Sequence, residues 1–168
     1  SVKNQNRSST CWSFSGIALL ESELLRKGKG DFDLSEMFIV HHTMRDRANL
    51  YVRLHGDNSF SPGGSFYDVI AVMNKNGLVP QDAMPGIMYG EKGHIHTELD
   101  AVAGAYVNAI AKSNSCKLTP VWKDGLSAIY DTYLGKCPEK FTHNGKEYTP
   151  ESFAKDLGLK AEDYISLT

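Results

Sequence analysis

The residues best suited to chemistry lie near the start of this sequence, where a cysteine opens a long apolar stretch. Cys11 comes directly before Trp12, with Phe14 close behind, and Gln5 precedes it by six residues. Apolar residues recur at helical spacing after Cys11, which predicts that the thiol lies in the first turn of a helix. Unsatisfied N–H groups give that end of a helix a positive partial charge, which favours the reactive thiolate form of cysteine. The position therefore suits a nucleophile.

Attack of a thiolate on a carbonyl creates an oxyanion, which needs hydrogen-bond donors already aimed at it. The backbone N–H of Cys11 can supply one donor, and the side-chain amide of Gln5 can supply another. Taken singly, a cysteine at a helix start is usually only a small buried residue, and a nearby glutamine carries no signal. It is the whole segment, residues 4–15, that favours catalysis.

That segment resembles the active-site segment of papain-like cysteine peptidases, which combine a glutamine with a Cys-Trp pair that opens the central helix. The resemblance implies that Cys11 is the nucleophile, that Gln5 contributes to the oxyanion hole, and that neither a metal nor an organic cofactor is needed. It also implies the fold class, a mainly α helical lobe of an α+β peptidase whose long central helix starts at the nucleophile.

A second segment, Pro62 to Phe66, resembles the paired-glycine element of the same family. Glycine is physically sensible there, because a residue without Cβ lets a peptide approach the main chain closely. The resemblance implies that Gly63 and Gly64 bind the substrate backbone, together with Trp12. Taken alone, the segment is more typical of a plain loop before a helix.

Residues 34–51 and 157–168 are similar to the bleomycin hydrolase and aminopeptidase C branch of the family. Ser8 stands where papain itself has a second cysteine, and Ser9 stands where the family usually has glycine, which tightens the expected turn before Cys11. The branch implies removal of N-terminal residues from peptide substrates, commonly by a hexamer with inward-facing active sites. Its members are usually cytoplasmic, but some bacterial ones look exported, so the compartment stays open.

None of the six histidines is a convincing base for the thiol. His143 has a papain-like separation from Cys11, but it lies in an Asn-Gly hairpin and no Asn-Ser-Trp segment follows it. We expect the histidine and asparagine in a C-terminal β-rich lobe that is absent here, as is an N-terminal segment. Residues 1–168 then form the helical, nucleophile-bearing lobe, with a family-type insertion at about 84–148, and should be inactive alone.

Apolar periodicity and helix stop signals predict several helices and one small hairpin. The first helix is expected to be buried around most of its girth, with Leu19 widening its apolar face. Asn144-Gly145 predicts a type I′ turn in a hairpin over residues 141–148. The predicted helices cover residues 11–27, 35–54, 65–76 with Gly77 as a left-handed stop, and 97–111 with Thr97 as the cap, followed by two that open at Thr119-Pro120 and Thr149-Pro150.

Composition argues against several other classes of protein. The net charge is −2 with acids and bases mixed along the chain, so there is no basic stripe for nucleic acid. The apolar runs are shorter than the roughly 20 residues that cross a bilayer. Three cysteines are too few for a disulfide framework, and Cys116 and Cys137 could pair or stay reduced.

Two other groups of residues have alternative interpretations. His94 and His96 with Glu98 could coordinate a metal, but no third strong ligand is evident and a solvated loop is favoured. His41 and His42 are interpreted as a packing residue and its polar neighbour on a helix. The functional alternative is a non-catalytic peptide-binding or assembly module that keeps the lobe, although such a module has no need for a thiolate.

Overall fold

Six α-helices and one hairpin make up residues 3–114 and 117–165, the part of the chain that the computed structural model describes. Strands β1 and β2 pair antiparallel, and single 3-10 turns cover Gln81–Ala83 and Ala161–Asp163. The mainly helical fold with a small hairpin is thus confirmed. The elements are α1 Cys11–Arg26, α2 Glu36–Arg53, α3 Phe66–Asn76, α4 Thr97–Ala111, α5 Val121–Leu134, β1 Phe141–His143, β2 Lys146–Tyr148 and α6 Pro150–Leu157.

Helix α2 occupies the centre of the bundle, because it contacts α1, α3, α4 and α5. Residues 36–41 at its start are buried on every face, which is the pattern of a helix with neighbours all round. With 18 residues it is also longer than α1, which has 16. The central, most enclosed helix is therefore α2, while α1 lies against its side.

Helix α1 has one buried face and one open face. Ile17, Leu20 and Leu24 are fully buried, but Leu19 and Leu25 remain 50% and 54% exposed. Among the described residues α1 packs mainly on α2 and α3. The prediction that α1 is buried around most of its girth is therefore wrong, because its two neighbours cover only one side. The open side begins at the thiol of Cys11.

The helix ends follow the predicted capping residues only in part. Thr149 accepts a hydrogen bond from the N–H of Ser152 and caps α6, as predicted. Thr97 is instead the first residue of α4, and Pro120 rather than Thr119 precedes α5. Pro120 already has helical angles, and its carbonyl accepts from the N–H of Lys123 at 3.0 Å, so the helical turn starts after Thr119.

Gly77 ends α3 as predicted, but with a different conformation. Its φ of 83° is combined with a ψ of −155°, which is an extended rather than a left-handed helical backbone. A Cβ on Gly77 would lie 2.2 Å from the carbonyl atoms of Pro150. The glycine therefore serves the close contact between the end of α3 and the start of α6.

Candidate active site

The loop that leads into α1 is fixed by backbone hydrogen bonds to a distant segment. The N–H of Arg7 donates to the carbonyl of His94 at 2.9 Å, and the N–H of His96 donates to the carbonyl of Arg7 at 3.2 Å. Ser8 is fully buried, and its hydroxyl shares a 2.5 Å hydrogen bond with the hydroxyl of Thr10. These contacts fix the backbone immediately before Cys11.

Ser9 turns the chain into α1 through a left-handed backbone. Its φ is 58°, a value that glycine adopts freely and other L-residues adopt at a cost of about 1–2 kcal/mol. This is the position at which the resembled family usually has glycine. The tight turn expected from the sequence is therefore present, and it is formed by a residue that is strained there.

Cys11 is the first residue of α1, and its side chain is exposed. The first N–H groups of a helix have no carbonyl partner within the helix, so they face the same end of α1 as the thiol. The thiol borders an open cavity of about 430 Å³. The residues around this cavity are Lys3, Gln5, Cys11, Phe14, Ser15, Ala18, Glu21 and Glu36.

Gln5 lies at the same cavity as Cys11, so the structure brings these two predicted residues together. The side chain of Gln5 makes no hydrogen bond with the described residues, and its Oε1 is buried without a partner. Its backbone carbonyl accepts from the N–H of Ser8 at 3.2 Å, which fixes the main chain at this point. The side-chain amide is therefore free to bind a group in the cavity, and its role in an oxyanion hole stays a prediction.

The paired glycines lie next to Trp12, in residues 61–65, here called the glycine segment. The indole N–H of Trp12 donates to the carbonyl of Pro62 at 2.9 Å. Gly63 and Gly64 are exposed, and a Cβ on Gly64 would lie 2.5 Å from the Trp12 ring. Packing against Trp12 therefore requires glycine at position 64. The binding of a peptide by Gly63, Gly64 and Trp12 stays a prediction.

A charged cluster borders the cavity through Lys3, Glu21 and Glu36. The ammonium group of Lys3 lies 2.6 Å from Asp33, 2.8 Å from Glu36 and 3.5 Å from Glu21. Burial lowers the pKa of Lys3, but the surrounding carboxylates outweigh it and raise the pKa overall. Burial raises the pKa of Glu36, and Lys3 opposes that shift. The sequence gives one weak signal for this cluster: Glu36 stands directly before the apolar residues that begin α2, so its carboxylate could be expected to be buried with a partner. Nothing local indicates that the partner is Lys3.

His94 and His96 are buried, so the prediction of a solvated loop is wrong for them. They lie beneath the loop that precedes Cys11, and the ring of Phe14 meets the ring of His94 edge-on at 5.5 Å. Burial lowers the pKa of both, to about 4 for His96. Among the described residues, no group of three or more His, Cys, Asp or Glu side chains could hold a metal ion.

No histidine of the described ranges borders the Cys11 cavity. His143 packs in the hairpin against Phe32 and Phe153, with ring centres 6.1 and 5.2 Å away. His41 is buried, and its Nε2 lies 2.8 Å from Asp131. Burial lowers the pKa of His41 against the effect of Asp131, and it lowers the pKa of His42 to about 4.

The second described cysteine, Cys137, is a free thiol in a different environment from Cys11. It is partly buried, and burial raises the pKa of its thiol to about 12. Cys116, its possible disulfide partner, lies outside the described residues.

In the part of the chain that the structure covers, no helix has both the length and the apolar character needed to span a membrane.

Comparison with known proteins gives two relatives, both named as aminopeptidases. Aminopeptidase E of Lactobacillus helveticus is 26% identical over an alignment 210 residues long, which takes in 99% of this chain and 47% of the relative. Aminopeptidase G of Lactobacillus delbrueckii subsp. lactis is 30% identical over 101 residues, covering 50% of this chain and 23% of the relative. The chain thus spans less than half the length of either relative. No family model matches it. These two distant relatives support membership of a peptidase family.

Proposed function

We propose that this chain is the nucleophile-bearing lobe of a cysteine peptidase of the bleomycin hydrolase and aminopeptidase C type, which removes N-terminal residues from peptides. The observation that carries the proposal is the meeting of an exposed Cys11, at the first position of α1, with the unbonded side chain of Gln5 at one cavity. The names of the two relatives support the aminopeptidase activity.

In this proposal the Cys11 thiolate attacks the carbonyl carbon of the scissile peptide bond. The oxyanion that forms accepts hydrogen bonds from the Cys11 N–H and the Gln5 amide. The C–N bond then breaks, the amine leaves with a proton from a general acid, and the acyl group stays on sulfur until water hydrolyses the thioester. Gly63 and Gly64 bind the substrate backbone, and Trp12 supports them from inside.

The general acid and base, a histidine with its orienting asparagine, belongs in this proposal to a β-rich lobe outside the 168 residues. Two observations support this. No described histidine borders the cavity, and the chain covers only 47% of aminopeptidase E. The open side of α1, from Cys11 to Leu25, provides a surface that such a lobe could cover. The protein that contains both lobes is called the two-lobe protein below.

The test is turnover of aminoacyl p-nitroanilides by the two-lobe protein. Cys11→Ala is expected to abolish activity, and Gln5→Ala to lower kcat/KM by about 10²-fold or more, because one oxyanion donor is lost. His143→Ala is the matched control and should leave kcat/KM unchanged. Peptide binding without thiol-dependent turnover would instead indicate a non-catalytic binding module, and loss of activity in His143→Ala would show that the base lies in this chain.

A further inference from the structure

One guanidinium group joins the glycine segment to two helices. Arg47 on α2 donates through Nη1 to the carbonyl oxygens of Ser61, at 3.1 Å, and Gly63. Its Nη2 donates to the carboxylate of Asp68 on α3 at 3.0 Å. Arginine suits this position, because its planar group holds several N–H donors in fixed directions and cannot lose its charge.

The same guanidinium lies over Trp12, the residue that follows the nucleophile. Its Cζ is 5.7 Å from the centre of the indole ring, within the range of a cation–π interaction. Trp12 in turn donates to the carbonyl of Pro62. The carbonyl groups of three successive residues, 61 to 63, are therefore all bound by the side chains of Arg47 and Trp12.

The far end of the glycine segment is fixed through Asp68. Its Oδ2 accepts from the N–H of Ser65 at 2.8 Å and from the hydroxyl of Ser65 at 3.0 Å, besides the bond from Arg47. Gly64 thus lies between two anchored residues. Its own N–H and carbonyl have no hydrogen-bond partner among the described residues, and the residue is exposed.

We propose that Arg47 is a positioning residue that holds the backbone of Gly64 ready to pair with a peptide substrate. The proposal rests on the proposed peptidase function, because it assumes that Gly64 binds substrate. Two hydrogen-bonding groups can bind a peptide backbone strongly only if they are held in place before binding, and small displacements weaken such contacts severely. Arg47 touches the carbonyls on one side of Gly64 and, through Asp68, the residue on the other.

Hydrogen exchange of backbone amides tests the anchoring step without any substrate. Arg47→Met keeps an apolar side chain of similar length but removes every donor, and Arg47→Lys keeps the charge but loses the planar fork. The N–H of Ser65 donates to Asp68, which Arg47 also holds. Exchange of this N–H is expected to rise at least about tenfold in Arg47→Met, with a smaller rise in Arg47→Lys, since local opening sets exchange. Arg53→Met, at an exposed position on the same helix, is the control and should change nothing there.

Kinetics of the two-lobe protein test the link to substrate. Arg47→Met is expected to raise KM for peptides by about tenfold with kcat within about twofold, because backbone binding serves ground state and transition state alike. Arg47→Lys should raise KM by less than Arg47→Met does, because the positive charge is kept. The rate of Cys11 alkylation should stay unchanged, which separates positioning of Gly64 from a general disturbance of α1.

Each result decides a different step. Unchanged exchange of the Ser65 N–H in Arg47→Met would overturn the anchoring role of Arg47. Faster exchange with unchanged KM and kcat would overturn the link between that anchoring and substrate. A wild-type two-lobe protein without thiol-dependent turnover would overturn the proposed peptidase function itself, while the exchange experiment would still decide whether Arg47 holds the segment.

Discussion

The two described thiols differ in exposure, and that difference can be measured. Cys11 is exposed at a helix N-terminus, whereas burial raises the pKa of Cys137 to about 12. The thiolate is the species that reacts with alkylating agents, and a buried thiol presents little of it. In a Cys116→Ser background we expect iodoacetamide at pH 7.5 to modify Cys11 at least about tenfold faster than Cys137. Peptide mapping by mass spectrometry measures both rates, and equal rates would contradict this assignment of the two environments.

Ser9 makes a second prediction at the scale of single residues. Its φ of 58° disfavours any side chain and most of all a β-branched one. Ser9→Val should lower the free energy of unfolding by about 1–2 kcal/mol, and Ser9→Gly should leave it unchanged or raise it by up to about 1 kcal/mol. Urea denaturation measures both. Ser22→Val, on the exposed side of α1, is the control, and a loss there as large as in Ser9→Val would contradict the backbone explanation.

At the scale of elements, two Thr-Pro pairs with the same local sequence pattern behave differently. Thr149 caps α6 through a reciprocal pair of hydrogen bonds with Ser152, whereas Thr119 lies outside α5 and makes no cap. Thr149→Ala should therefore cost about 1 kcal/mol of unfolding free energy, and Thr119→Ala should stay within about 0.5 kcal/mol of wild type. Chemical denaturation of both variants checks this, and equal losses would contradict the capping assignment.

The elements themselves could largely be predicted from the sequence, because their signals are local. Apolar periodicity gives α1 to α3 within a residue or two, and Asn144-Gly145 forms the expected hairpin turn, with φ values of 51° and 77°. The pair Cys11 and Gln5 could also be proposed, since both lie in one short segment.

The contacts that support the site could not be predicted, because they join distant segments. Lys3 forms an ion pair with Glu36, Arg47 donates to the carbonyl of Gly63, and the N–H of Arg7 donates to the carbonyl of His94. No local sequence pattern links the members of any of these pairs. Burial of His94 and His96 follows from that long-range pairing. The exposure of one face of α1 could not be predicted either, because Leu19 fits an apolar helix pattern whether or not a neighbouring element covers it.

For the whole molecule, buried histidines predict a loss of stability in mild acid. Burial lowers the folded-state pKa of His41 and His94, and to about 4 those of His42 and His96, so the unfolded chain binds more protons below its own pKa of about 6.5. The free energy of unfolding therefore rises with pH through this range and falls on acidification. Burial raises the pKa of Asp100 to about 6 and also raises the pKa of Glu36, and both shifts act in the opposite direction.

Four histidines outweigh these two carboxyl groups, so we expect the free energy of unfolding to drop by about 2 kcal/mol between pH 7.5 and 5.5. Urea denaturation across this range measures the slope. Asp100→Asn should make the drop steeper, because one opposing group is removed, and His55→Asn at an exposed position should leave it unchanged. A free energy of unfolding that is constant or rises on acidification would contradict the burial of these imidazoles.

In the proposed mechanism, the sulfur of Cys11 carries the acyl group during peptide cleavage. The most direct measurement treats the two-lobe protein with an aminoacyl chloromethyl ketone, follows loss of activity, and locates the adduct by peptide mapping. We expect one adduct per chain on Cys11, formed in step with inactivation, and none in Cys11→Ala, which should also be inactive. Inactivation with the adduct on another residue, or peptidase activity that survives Cys11→Ala, would contradict the role of Cys11 as the nucleophile.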